Sequence, residues 1–334
     1  MHKLLKICIA LAALAPAVAL AQFTPDPVQY IVTPEVPGPG QTVNIEVQGV
    51  GNFLGDAAIT WSKDGKVVQS GAGLRTYSFA VGVLGSVTKI HIDIKSANNG
   101  SFSKDLIFRP SSVNLVWEAN TTAPPLYMGK PLYSAGSPLK VVAFPNVIIN
   151  GARASEASLS YQWSRADQAL PAQSGLARNV LSLDGDQLQA SEDISVDVYF
   201  GQSLVARGAI SVPASQPQLV LYERDALRGL LTDAALPQSL ALNAKELTVA
   251  AQPYYFAAPA LAGGSLQYSW TLNGNDIVGP DSARGILTLR QTGSGQGQAE
   301  LDSSLQNNAS SQLVQSAQAA LTILFGQASS LFGL

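Results

Sequence analysis

The sequence predicts an all-β protein, with three β-sandwich domains in tandem behind a secretory leader. Three observations predict it. Tryptophan recurs at Trp61, Trp163 and Trp270, spaced 102 and 107 positions apart, each time on a strand-like run that ends in a polar turn. Around each tryptophan, apolar residues alternate with a period of two. The first 21 residues carry the charge and apolar layout of an export signal.

The leader comes first. Lys3 and Lys6 precede an apolar stretch from Ile7 to Leu20, and Ala19 and Ala21 frame a small-x-small cleavage site, so cleavage is expected after Ala21. The stretch is short for a membrane span, and Pro16 interrupts it. The only cysteine, Cys8, lies inside it. The expected mature chain therefore lacks thiols, which excludes disulfides, thiol catalysis and cysteine metal sites. Without Lys3 and Lys6, the 20 basic residues fall to 18 against 23 acidic ones. A net charge of about −5 gives no nucleic-acid footprint.

The strands follow. Ala57, Ile59 and Trp61 share one face, as do Leu159, Tyr161 and Trp163, and Leu266, Tyr268 and Trp270. Before each lies another alternating run: Val43, Ile45, Val47; Leu139, Val141, Ala143; Leu247, Val249, Ala251. Later runs set Ile90, Ile92, Ile94, then Ile194, Val196, Val198, Phe200, then Leu321, Ile323, Phe325 on one face each. Turn signals at Asn98-Asn99-Gly100, Asp184-Gly185-Asp186 and Asn273-Gly274 separate such runs. A period near a hundred residues is that of tandem domains, and each tryptophan is expected to fill the gap between two sheets.

Two stretches carry a family resemblance. Residues 76–108 resemble the second half of a PKD domain, ending its strands in a turn like Asn98-Asn99-Gly100. "TWSKDGKVVQSG" resembles the tryptophan strand and hairpin of Ig-like domains. The chain thus resembles the tandem Ig-like or PKD-like modules of secreted bacterial surface proteins. It departs from the PKD pattern at Lys63-Asp64-Gly65. The resemblance implies sandwiches used for extracellular spacing or adhesion, and no particular ligand. The expected divisions are 1–21 leader, 22–110, 111–214 and 215–326 for the three domains, and 327–334 an apolar tail. The tail is expected to dock on the third domain, with an interaction peptide as the alternative.

Chemistry-bearing residues are few. Beyond the leader there is one histidine, His91, on the polar face of its strand, so neither a serine triad nor a multi-histidine zinc site has a second player. Carboxylate-pair hydrolysis is open on composition, but no pair has a distinctive context. Asp184, Asp186, Glu192 and Asp193 cluster around a glycine turn and could offer oxygen ligands to calcium, although their spacing matches no defined calcium loop. Otherwise no cofactor is expected. Two long connections, 118–138 and 223–246, follow the first strands of the second and third domains. The first carries Tyr127, Met128 and Tyr133 among prolines and glycines, candidates for ligand contact. The bland reading makes both connections elbows packed into domain joints, the first of them setting the angle between the first two domains. Residues 293–318, polar and low in complexity, are expected to form a long hairpin, with a disordered insertion as the alternative.

Three functions compete: a non-enzymatic secreted or cell-surface spacer and adhesion protein, an extracellular glycan- or peptide-binding protein, and a carboxylate-based hydrolase. The first fits the modular repeat best. The expected partner is a protein or glycan at the cell surface, with no nucleic acid and no transmembrane helix in the mature chain.

Overall fold

A computed structural model describes residues 27–123, 127–184, 190–242, 244–309 and 315–326. The leader, Asp186 and the tail after Gly326 lie outside these residues. The described chain gathers into two compact units. One holds the residues up to Thr33 with Asn44–Ser78 and Lys89–Leu106; the other holds Pro34–Val43, Phe79–Thr88 and everything from Ile107.

The fold is all-β, and its sheets come in three facing sets. The first set has strands β1 (Val28–Thr33), β2 (Thr42–Gly49) and β5 (Thr76–Ala80) in the order β1-β2-β5. Its companion, β4-β3-β6-β7, uses β3 (Ala58–Lys63), β4 (Lys66–Ala72), β6 (Thr88–Ser96) and β7 (Gly100–Phe108). Alternation works as the sequence requires: Ile45, Val47, Ile59, Trp61, Ile90, Ile92 and Ile94 are buried between the sheets.

The second sandwich repeats this order. Strands β8 (Ser112–Ala119), β9 (Pro138–Asn146) and β15 (Val180–Asp184) form one sheet. A small hairpin of β10 (Ile148–Ile149) and β11 (Ala152–Arg153) leads across to the other. That sheet runs β13-β12-β16-β17, from Gln168–Ala169, Ser160–Arg165, Ser191–Phe200 and Ser203–Pro213, with β14 (Gly175–Leu176) also paired to β12. Tyr161, Trp163, Leu181, Val196 and Val198 lie at its centre. Phe200 departs from expectation. A bulge between Val198 and Tyr199 shifts the register of β16 on β17, and Phe200 leaves the core for the surface.

The third sandwich is elaborated. Its first sheet is β19-β18-β21-β24, from Gly229–Leu230, Gln218–Asp225, Glu246–Tyr254 and Ile286–Arg290. Its second is β20-β26-β25-β22-β23, from Ser239–Leu242, Ser316–Phe325, Gly297–Asn307, Leu266–Leu272 and Asn275–Asp276. The expected long hairpin is β25 with β26. Connection 223–246 is neither a simple elbow nor a free loop. It turns back as β19, then crosses to the other sheet, where β20 pairs parallel to β26. A short helix, α1 (Ala258–Ala262), lies between β21 and β22.

Candidate functional site

The three tryptophans occupy one site built three times. Trp61, Trp163 and Trp270 are buried on β3, β12 and β22. Each indole N–H donates to a main-chain carbonyl 12 to 15 residues later: Leu74 at 2.8 Å, Arg178 at 2.9 Å and Ser282 at 3.1 Å. A buried indole needs such a partner. The same passage of chain is also gripped from the facing sheet, where the N–H groups of Val47, Ala143 and Ala251 donate to Arg75, Asn179 and Gly285. Three residues after each tryptophan the strand turns on two left-handed residues: Asp64-Gly65, Ala166-Asp167 and Asn273-Gly274. This is the hairpin geometry that matches strand twist. The first turn residue donates its N–H to Lys89, Asp193 or Glu300 on the neighbouring strand. Asp64 and Asn273 also accept the return bond from Lys89 and Glu300 through their side chains, both at 2.9 Å.

The acidic cluster does not assemble as a metal site among the described residues. Asp184 and Asp193 are exposed, whereas Glu192 lies in the core at 2 % exposure. Its carboxylate receives Arg165 through Nε at 2.7 Å and a second nitrogen at 2.8 Å, and the Tyr133 hydroxyl at 2.7 Å. A buried charge demands such pairing. The lone pairs that calcium would need are thus turned toward a guanidinium and a phenol. Among the described residues, no group of three His, Cys, Asp or Glu side chains is placed to hold a metal. His91 is exposed on β6, its Nδ1 2.7 Å from Asp105.

The aromatic loop divides. Tyr133 is 1 % exposed, a core residue rather than a contact residue, and burial together with the Glu192 bond pushes its hydroxyl pKa well up. Tyr127 is half exposed and Met128 fully so. Lys130 lies 3.3 Å over the Trp117 ring, closing that side chain off. Tyr133 also anchors the joint that follows, because its carbonyl accepts the Ser215 N–H at 2.7 Å.

The loop meets the third sandwich. Residues 120–122 form a short antiparallel ladder with 255–258: Thr122 donates to Phe256, Tyr255 to Thr122 and Ala258 to Asn120. Beside it, Gln315 is buried among Ser134, Ser137 and Asn307. Its Nε2 reaches Ser134 Oγ at 2.7 Å, Ser137 Oγ at 3.0 Å and the Ala135 carbonyl at 3.2 Å. Its Oε1 accepts from the Ala257 N–H at 3.0 Å and Asn307 Nδ2 at 2.9 Å. Proline and glycine content gave the loop away, but the single glutamine that receives it had no signal in a polar, low-complexity stretch.

Displaced Phe200 helps line a cavity of about 370 Å³ with Ile107, Pro110, Ile148, Val205 and Arg109. The turn that carries the PKD likeness is tied to the loop after β2, where Ser96 and Asn98 donate to Asp56 at 2.8 and 2.9 Å. The Ser96 bond, chiefly, holds the Asp56 carboxyl below its usual pKa. No helix among the described residues is long and apolar enough to cross a membrane.

No protein-family model matches the chain, and no curated protein matches it. Solved structures do. The three N-terminal domains of the bacteriophage RB49 Highly Immunogenic Outer Capsid protein are 12 % identical, over 90 % of this chain and 98 % of that one, with a TM-score of 0.26. Fibronectin(III)-like modules of Clostridium thermocellum CbhA are 10 % identical, over 56 % of this chain and 95 % of that one, at 0.25. A bacterial ice-binding adhesin is 10 % identical, over 90 % of this chain and 98 % of that one, at 0.22. At these scores the likenesses add nothing to what the three sets of sheets show by themselves.

Proposed function

We propose that this chain is a non-enzymatic exported protein of the cell surface, whose Ig-like modules at 22–110, 111–214 and 215–326 act as spacer and adhesion surface behind a cleaved leader. The first module is the PKD-like one. A single observation carries the spacer reading: the joint between the second and third sandwiches is built as an interior. A flexible tether would leave its polar groups to water. Here the joint buries Ser134, Ser137, Asn307 and Gln315 and satisfies the Gln315 amide on both sides. Such a buried network rigidifies what it joins.

The test is a pulsed electron-paramagnetic distance measurement between spin labels at the exposed positions Ser182 and Gln318, one on each sandwich. A spacer gives one narrow distance distribution. A broad distribution overturns the reading. Tyr127 and Met128 favour a second reading, glycan or peptide binding, because they stay exposed while Thr121, Tyr133 and Ser134 of the same loop are buried. Under that reading, alanine at both positions abolishes capture by a glycan and protein array and leaves melting unchanged.

A further inference from the structure

The edge of the first tryptophan sheet differs from its counterparts. Each tryptophan-bearing sheet has two outer strands, and an unpaired outer strand is a template for another chain unless it is short, charged or covered. In the second and third sandwiches the strand beside the tryptophan strand is only two residues long, Gln168–Ala169 and Asn275–Asp276. On the far side, β17 carries Arg207, and β26 is covered by β20. In the first sandwich, β7 carries Lys104 and Asp105 in its middle.

Strand β4 has none of these protections beyond its first residue. It runs seven residues, Lys66-Val67-Val68-Gln69-Ser70-Gly71-Ala72, and ends its sheet with only β3 as a neighbour. Among the described residues its outward backbone groups have no other main-chain partner. A register shift opposite Trp61 and Ser62 places Val68 as an extra residue, and Val67 and Val68 stand 65 % and 45 % exposed side by side. A bulge can turn an edge away from partners. This one instead gives the edge an apolar shoulder.

We propose that β4 pairs antiparallel with β4 of a second copy of this chain, centred on Gln69. The strand is complementary to itself in that register. Lys66 faces Ala72, so the one charge meets no like charge. Val67 faces Gly71 and Val68 faces Ser70, large against small at each end. Gln69 faces Gln69, and two amides can bond each other. The contact is isologous and closes as a two-fold dimer, with the two four-stranded sheets continuous across it.

Sedimentation of the secreted protein over a micromolar range tests this, together with V67K/V68K, whose changes sit on exposed side chains and leave the core alone. A dimer is expected for the wild type, and the double variant weakens it at least about tenfold, since like charges now flank the shared edge. Q69C in a C8S background carries a single thiol. Directly opposed residues lie about 4.5–5.5 Å apart at Cα, which a disulfide spans. Oxidation should therefore give a covalent dimer, whereas S103C on β7 should not. A monomeric wild type, a dimer indifferent to V67K/V68K, or no cross-link at position 69 overturns the proposal.

Discussion

Ala166 sits at the first corner of the turn after Trp163 with φ 46°, where its counterparts are Asp64 and Asn273. Alanine has no side chain to repay the left-handed conformation, and the Asp193 N–H lacks the acceptor that Lys89 and Glu300 find in the other copies. Ala166→Asn should supply both, raising the stability of the second sandwich by about 1 kcal/mol in denaturant melting. An unchanged midpoint would mean that the turn is strain-free. Trp163→Ala acts in the opposite direction. It removes the largest core side chain and orphans the Arg178 carbonyl, at a cost of about 3–5 kcal/mol. A loss under about 1 kcal/mol would contradict its place in the core. At this scale the sequence was readable wherever alternation decides burial, as at Trp163. It was not readable at Glu192, because Arg165, which makes its burial tolerable, lies 27 positions away.

Strands β8 and β17 show how an element is positioned by what is missing from it. They are not hydrogen-bonded neighbours, yet β17 packs on β8 at Gly208, where an added Cβ would stand 2.9 Å from Val113 Cβ and 3.3 Å from the Val113 carbonyl. Gly208→Ala must push the first strand off the last and should cost about 1–3 kcal/mol. Val113→Ala in the same chain, which takes away the Cγ1 that the new methyl would meet at 3.2 Å, should return part of that loss, a coupling that a double-mutant cycle reads directly. Additive losses would show that the two strands do not touch through this glycine. The tryptophan strand of each sandwich, the strand before it and one later strand were legible as alternating runs. Other features had no such signal. The bulge before Phe200 has no glycine to mark it, β20 is four residues inside a long connection, and β10 with β11 is only two residues a side.

At the scale of the molecule, the second and third sandwiches share an interior at their joint. Gln315→Ala leaves Ser134 and Ser137 without their amide and Asn307 and the Ala257 N–H without their acceptor. A single melting transition for residues 111–326 should then separate into two, one for each sandwich, because unpaired buried polar groups remove the joint's contribution. One unsplit transition in the variant would show that the cooperativity comes from elsewhere. Tandem repetition and its period were plain from the tryptophans. The partners of the aromatic loop were not, because Ser134 and Gln315 meet across 181 positions and neither has a pattern around it.

The parallel patch of β20 on β26 bears on what happens when the ends of the third sandwich are pulled apart. Ser239–Leu242 lies beside Thr322–Phe325 with both strands running the same way, so tension entering before β20 and leaving after β26 slides one along the other. All bonds of the patch are then loaded together, whereas an antiparallel hairpin pulled from its open end yields one bond at a time. Tethered by its two ends in a single-molecule force experiment, the third sandwich should resist stretching as a brittle clasp. Leu240→Pro, which removes one main-chain donor from the patch, should lower its rupture force and leave that of the second sandwich as it was.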